Sequence, residues 1–240
     1  MTGLYIHIPW CIKKCPYCDF NSHKSPTELP ETAYIQALIR DFKQDLVRFG
    51  QRDITSVFIG GGTPSLLSSH SYHVLFQHLR DLAPFAPGLE ITLEANPGTF
   101  DQARFEGYRQ AWINRLSLGI QSFQPETLKH LGRVHQAEEA YHAIQRAKAI
   151  GFDNINLDLM YGAPHQTPAQ STEDLQIAID LNPTHLSWYQ FTLEPNTYFY
   201  RYPPPLPQEE ALHAMESQGL ALLHQKGYHR YEISAYQRDH

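Results

Sequence analysis

Cys11, Cys15 and Cys18 are the only cysteines in the chain, and they sit close together with the spacing CxxxCxxC. An odd, clustered set is a poor disulfide framework. Soft thiolates this close together favour zinc or an iron–sulfur cluster. A single loop can wrap three thiolates around a compact 4Fe–4S cluster. Three protein ligands then leave one iron open, and an open metal position is what catalysis or ligand binding needs. A structural zinc site completed by His7 or His23 is the alternative. Such sites usually join two CxxC pairs far apart, and the chain has no second pair. A further alternative is three buried thiols with no metal. The 14 histidines are scattered and none is singled out as a ligand.

Other candidate residues recur near the ends of strand-like segments. Gly60-Gly61-Gly62-Thr63-Pro64 follows one of them. Glycines there let the backbone approach a ligand where a side chain would obstruct it, although an ordinary tight turn would look the same. The run does not match GxGxxG, which weakens a dinucleotide reading. Glu94 ends the next strand, Gln121 follows the one after, Arg133 comes shortly beyond, and Asp158 lies near the end of a fifth. Alternation with Ile155, Leu157 and Leu159 puts Asn156 and Asp158 on one face.

The elements that must position these residues alternate between the two kinds. Strands are predicted at Leu4–Pro9, Ser56–Ile59, Glu90–Ala95, Arg115–Ile120, Ile155–Met160 and His185–Phe191. Helices are predicted at Thr32–Phe49, Ser71–Leu82, Asp101–Trp112, around Ala137 to Ala147, and at Thr172–Leu181. Six strands alternating with helices predict an α/β fold with a parallel sheet, curled into an open, partial (β/α)6 TIM-like barrel. The cysteine loop follows the first strand, on the face where barrel active sites lie. A stiff proline-rich linker at Tyr202–Pro207 comes next. A helix at Gln208–Lys226 and a strand starting at Tyr231–Ala235 complete the pattern. The expected division is a core over 1–200, with its cysteine loop at 11–18, and a linker, helix and strand over 201–240 that begin a further, truncated domain.

Hydrophobic residues make up 42% and the formal charge is −6. No basic run suggests a nucleic-acid partner. No apolar stretch approaches the roughly 18 residues of a membrane span, and no secretory leader is visible, so a cytoplasmic protein is expected.

CxxxCxxC after a first strand resembles the radical S-adenosylmethionine (SAM) superfamily. The likeness extends through Tyr-Ile-His-Ile-Pro-Trp-Cys at 5–11, Gly-Gly-Gly-Thr-Pro-Ser at 60–65, Leu-Glu-Ala-Asn-Pro at 93–97, Ser-Leu-Gly-Ile-Gln-Ser-Phe at 117–123, Leu-Gly-Arg-Val-His at 131–135 and Asp-Leu-Met-Tyr-Gly-Ala-Pro at 158–164. These segments resemble the oxygen-independent coproporphyrinogen III oxidase family, which includes a dehydrogenase and a haem-chaperone branch. The resemblance implies a 4Fe–4S cluster on Cys11, Cys15 and Cys18. In the family, SAM's amino and carboxylate groups chelate the open iron, and one electron cleaves the sulfonium to a deoxyadenosyl radical. It also implies SAM-binding positions at Tyr5, Tyr17, Gly61, Gly62, Thr63, Glu94, Gln121, Arg133, Asp158 and Thr192. Glu94 would accept hydrogen bonds from ribose hydroxyls and Arg133 would hold a carboxylate. Where the dehydrogenase binds two SAM molecules, Gln121, Arg133, Asp158 and Thr192 would belong to the second.

The dehydrogenase has a fourth cysteine two residues after the third, where this chain has Phe20. CxxxCxxCxF and the short leader Met1–Leu4 resemble the chaperone branch. That branch implies haem as cargo, a haem-acceptor protein such as a respiratory one, and an electron donor such as flavodoxin or ferredoxin. The HNxxYW segment of chaperone members does not occur before His240, so any haem ligand it provides lies outside this sequence. Dehydrogenation of coproporphyrinogen III is the competing expectation.

Overall fold

The computed structural model describes residues 2–238. Six parallel strands stand side by side in chain order: β1 (Thr2–Ile8), β2 (Ile54–Gly61), β3 (Phe85–Ala95), β4 (Arg115–Gln121), β5 (Asn154–Tyr161) and β6 (His185–Gln190). Helices α1 (Glu31–Phe49), α2 (Ser69–Leu82), α3 (Gln102–Gln110), α4 (Ala137–Ala149) and α5 (Pro168–Asp180) fill the crossovers. The alternation read from the sequence is the observed partial barrel. Its edges are not joined: β1 pairs only with β2 among the described residues.

Strand alternation assigns the two faces different work. Val57 and Ile59, Ile91 and Leu93, Leu116 and Leu118, and Leu157 and Leu159 all point to the helix side and are buried. They form one core with Ile35 and Phe42 of α1, Phe76 of α2, Phe105 of α3, Ile144 of α4 and Leu175 of α5. The residues between them face the barrel's lumen. On β4 and β5 these are Arg115, Ser117, Gly119, Asn156, Asp158 and Met160. A closed barrel packs its interior with branched apolar side chains. On these two strands the lumen-facing side chains are mostly polar, and the lumen is left open as a cavity.

Several element bounds differ from expectation. α5 starts at Pro168 rather than Thr172, because Thr167 and Gln170 form a capping box: the Thr167 N–H donates to Gln170 Oε1 at 2.9 Å and the Gln170 N–H to Thr167 Oγ1 at 3.3 Å. The run at 231–235 is not itself a strand. Its first four residues are the bend of a hairpin joining β7 (Tyr228–Arg230) to β8 (Ala235–Arg238). β8 pairs antiparallel with β6. α6 (Glu209–Gln225) packs on α5 and on the ring of Trp188, which sits where a Cβ on Gly219 would stand. That contact explains a glycine inside a helix, where it ordinarily costs about 0.5–1 kcal/mol relative to Ala. Among the described residues no helix is long and apolar enough to cross a membrane.

Candidate functional site

The cysteine loop leaves β1 and is clasped by a two-residue parallel ladder between Trp10–Cys11 and His23–Lys24. The turn after β2 fastens it further. The Gly62 N–H donates to Ile8 O and the Thr63 N–H to Trp10 O, both at 2.7 Å. A Cβ on Gly62 would lie 2.6 Å from Trp10 O, and one on Gly61 (φ +114°) would press into the His7 ring. These glycines line the cavity, but the close approach they permit is first of all to the protein's own loop. Gly62→Ala is therefore expected to destabilise the chain by about 1–3 kcal/mol, because rigid backbone must move. Thermal melting together with bound iron per chain checks this: both should fall.

Cys11, Cys15 and Cys18 are free, partly buried thiols lining one cavity. Burial pushes the Cys18 thiol up. Arg133 Nη1 stands 3.7 Å from Cys15 Sγ. Tyr17 packs edge-on against Phe191 at 5.9 Å between centroids. Lys14 Nζ donates to Phe20 O at 2.9 Å, and the Phe199 N–H to Pro16 O at 3.0 Å, tying the loop to itself and to the segment after β6. Among the described residues no three His, Cys, Asp or Glu side chains converge as a site for a single metal ion would require. His7 has both ring nitrogens engaged: Nε2–H donates to Asn21 O at 2.8 Å and Nδ1 accepts from the Tyr5 hydroxyl at 3.0 Å. His23 is exposed and bonded to Asn21 Oδ1. Neither histidine is placed to complete a zinc site. Three uncrosslinked thiols on one wall, with an arginine beside one of them, suit a cluster that takes three thiolates.

The cavity encloses about 870 Å³. Tyr17, Gly61, Gly62, Thr63, Glu94, Gln121, Arg133, Asp158 and Thr192 line it together with the cysteines. Tyr5 does not: the residue is 57% exposed, and its ring stacks on Phe58, which does line it. Glu94 accepts from the Gly61 N–H at 3.1 Å, yet burial and then the nearby Asp158 push its carboxyl up to about 7. Burial likewise raises Asp158 to about 6, against hydrogen bonds from Ser187, Asn156 and Ser117. Gln121 takes a left-handed backbone (φ +70°) where the β4–β5 ladder slips, and its Oε1 accepts from the Tyr189 hydroxyl at 2.8 Å. Such a slip re-aims a side chain. Arg133 Nη2 donates to Gly119 O at 2.6 Å, while its buried Nε has no protein partner.

Two positioning residues were not singled out from the sequence. His135 is buried, and its Nε2–H donates to Ile120 O at 3.0 Å. Burial holds it down to about 3, so the ring stays neutral and pins the segment carrying Arg133. Asp174, on α5, accepts from the Ser122 hydroxyl at 2.6 Å and the Phe123 N–H at 2.8 Å, fixing the chain just past Gln121. An acidic residue on a helix face otherwise directed to the core was the available signal for Asp174. His135 carried none beyond its place in Leu-Gly-Arg-Val-His.

The family model of the radical SAM superfamily matches residues 5–177. The chain is 51% identical over 238 residues to the heme chaperone HemW of Haemophilus influenzae, covering 98% of this chain and 62% of that protein. Against heme chaperone HemW of Escherichia coli K12 the identity is 50% over 234 residues, with the same coverage. The chain thus spans about 62% of the length of these curated relatives. Among solved structures, coproporphyrinogen III oxidase (HemN) of Escherichia coli, a radical SAM enzyme, superposes with a TM-score of 0.89 at 28% identity, covering 98% of this chain and 55% of that one. With the cysteine loop, the open barrel and the matched segment all in agreement, this chain belongs to the radical SAM superfamily.

Proposed function

We propose that this chain is the cluster- and SAM-binding part of a haem chaperone that delivers haem to an acceptor protein in the cytoplasm. Residues 1–200 form its core and 201–240 begin a further segment. The observation that carries the reading is the single cavity on which Cys11, Cys15, Cys18, Glu94, Gln121, Arg133 and Asp158 meet, with Phe20 rather than a fourth cysteine beside them. The chaperone assignment rests on likeness to the HemW relatives.

Membership of the superfamily implies a 4Fe–4S cluster and SAM. Cys11, Cys15 and Cys18 would hold the cluster. When bound, the cluster supplies an open iron and an electron for SAM. The chain's own residues shape the place where SAM lies. Gly61 and Gly62 keep that wall flat. Glu94 offers a carboxylate to ribose hydroxyls, oriented by the Gly61 N–H. Arg133, anchored on Gly119 O, points remaining N–H groups at a carboxylate. Thr63, Thr192 and Tyr17 complete the wall, and Tyr5 holds His7 and through it Asn21 in the loop. Flavodoxin or ferredoxin would serve as electron donor, and a respiratory haem protein as acceptor.

The test uses the chain reconstituted anaerobically with iron and sulfide. An EPR signal of the reduced protein that shifts on adding SAM supports the cofactor assignment, and an unchanged signal defeats it. Retention of haem and its transfer to an acceptor support the chaperone. Formation of protoporphyrinogen from coproporphyrinogen with SAM and reductant, at enzymatic rates, overturns it in favour of the dehydrogenase.

A further inference from the structure

The lumen continues well past the residues discussed so far. At about 3.3 Å per residue, Arg115 lies about 13 Å down β4 from Gly119, whose carbonyl holds Arg133. Arg115 lines the same cavity and is only 9% exposed. A guanidinium carries five N–H donors. Here one is used: Nη1 donates to Thr92 Oγ1 at 3.2 Å. The Glu90 carboxylate forms an ion pair with Nη1 at 3.8 Å, and its side chain is itself 46% exposed. Nε is buried with no partner. The neighbouring acceptors are already served, since Asp158 takes bonds from Asn156 and Ser117, and Asn156 Oδ1 takes one from Ser187. A largely buried guanidinium whose Nε has no acceptor is costly to leave so. Among the described residues the barrel wall offers that Nε no acceptor.

We propose that Arg115 is the carboxylate anchor of a second ligand, distinct from SAM, that occupies the lower lumen. Resting on the haem reading above, that ligand is a porphyrin, held by one of its propionates. A bidentate Arg–carboxylate pair satisfies the unused donors. Phe58 and Tyr231 line the same cavity.

The experiment titrates the anaerobically reconstituted chain, by fluorescence, with protoporphyrin IX and with its dimethyl ester, which keeps the ring and removes both charges. Wild type should prefer the free acid. Arg115→Gln should weaken the acid about 10- to 100-fold and leave the ester unchanged. Arg115→Lys, which keeps the charge and loses the fork, should fall between them, and it guards against a folding defect in the first variant. The proposal is overturned if Arg115→Gln keeps the wild-type preference for the acid. It is equally overturned if both probes weaken together with the melting temperature, which would make Arg115 purely structural. Displacement of the acid by saturating SAM would assign the anchor to a SAM carboxylate and overturn it too. Wild-type binding of neither probe would defeat the haem reading along with the anchor, whereas binding with an indifferent variant defeats the anchor alone.

Discussion

Cys15→Ala leaves the purified chain without bound iron or sulfide while its far-ultraviolet circular dichroism stays that of wild type. Cys15 is the middle cysteine of CxxxCxxC and the thiol beside Arg133. With it gone, two thiolates remain on a loop that has no histidine free to replace it, since both nitrogens of His7 are engaged and His23 faces away into solvent. The side chain is only partly buried and lies outside the apolar core, so stability of the unloaded chain should change by no more than about 0.5 kcal/mol. Iron and sulfide analysis beside a thermal melt of the unloaded chain separates the two effects. Wild-type iron content in the variant would mean that the ligand set is wrong.

Glu94 should make SAM binding depend on pH. Its carboxyl is pushed up to about 7, chiefly by burial, so near neutrality the empty site is a mixture of acid and carboxylate. Ribose hydroxyls donate, and a carboxylate accepts from them more strongly than a neutral acid does. Affinity for SAM should therefore rise with pH, approaching tenfold per unit below pH 7 and levelling off above it. Glu94→Gln should bind about 10- to 100-fold more weakly at pH 8 and lose the pH dependence. Calorimetric titration from pH 6 to 8 reads both, and an identical pH profile in the variant would remove Glu94 from the site. The same shift sets the sign for folding. A carboxyl raised in the folded state binds its proton more tightly there than in the unfolded chain. Its contribution is fully present below about 4.5 and is lost as pH climbs to about 7. Asp158 and Asp174, both raised to about 6, act in the same direction. The unloaded chain should melt at lower temperature at pH 8 than at pH 5.

The strands and their order were legible because helix-facing residues repeat with a period of two and glycines end the segments. β3 begins at Phe85 rather than at the expected Glu90, although Pro87 and Gly88 are residues that ordinarily interrupt a strand. The strand runs through them from Phe85, with Gly88 in a left-handed backbone and the pairing to β2 slipping between Ile54 and Ser56. The hairpin was displaced because Tyr231 and Ile233 suit a strand, yet both are exposed and sit in the bend, a placement decided by pairing with β6 rather than by propensity. Of the site residues, those at strand ends were legible by position. Gln121 needed a slipped ladder to face the cavity, and Arg115, at the opposite end of β4, lines it because the cavity runs the length of the strand. No local pattern encodes either fact.

Alternate residues of each strand serve opposite masters, with Leu116 and Leu118 in the apolar layer and Arg115 and Ser117 towards the cavity. Cohesion and recognition are thereby written on separate letters of the same word. Exchanging a cavity-facing letter alters what can be held and leaves the layer beneath the helices intact. Such a scaffold can acquire a new cargo by small steps without passing through forms that no longer fold.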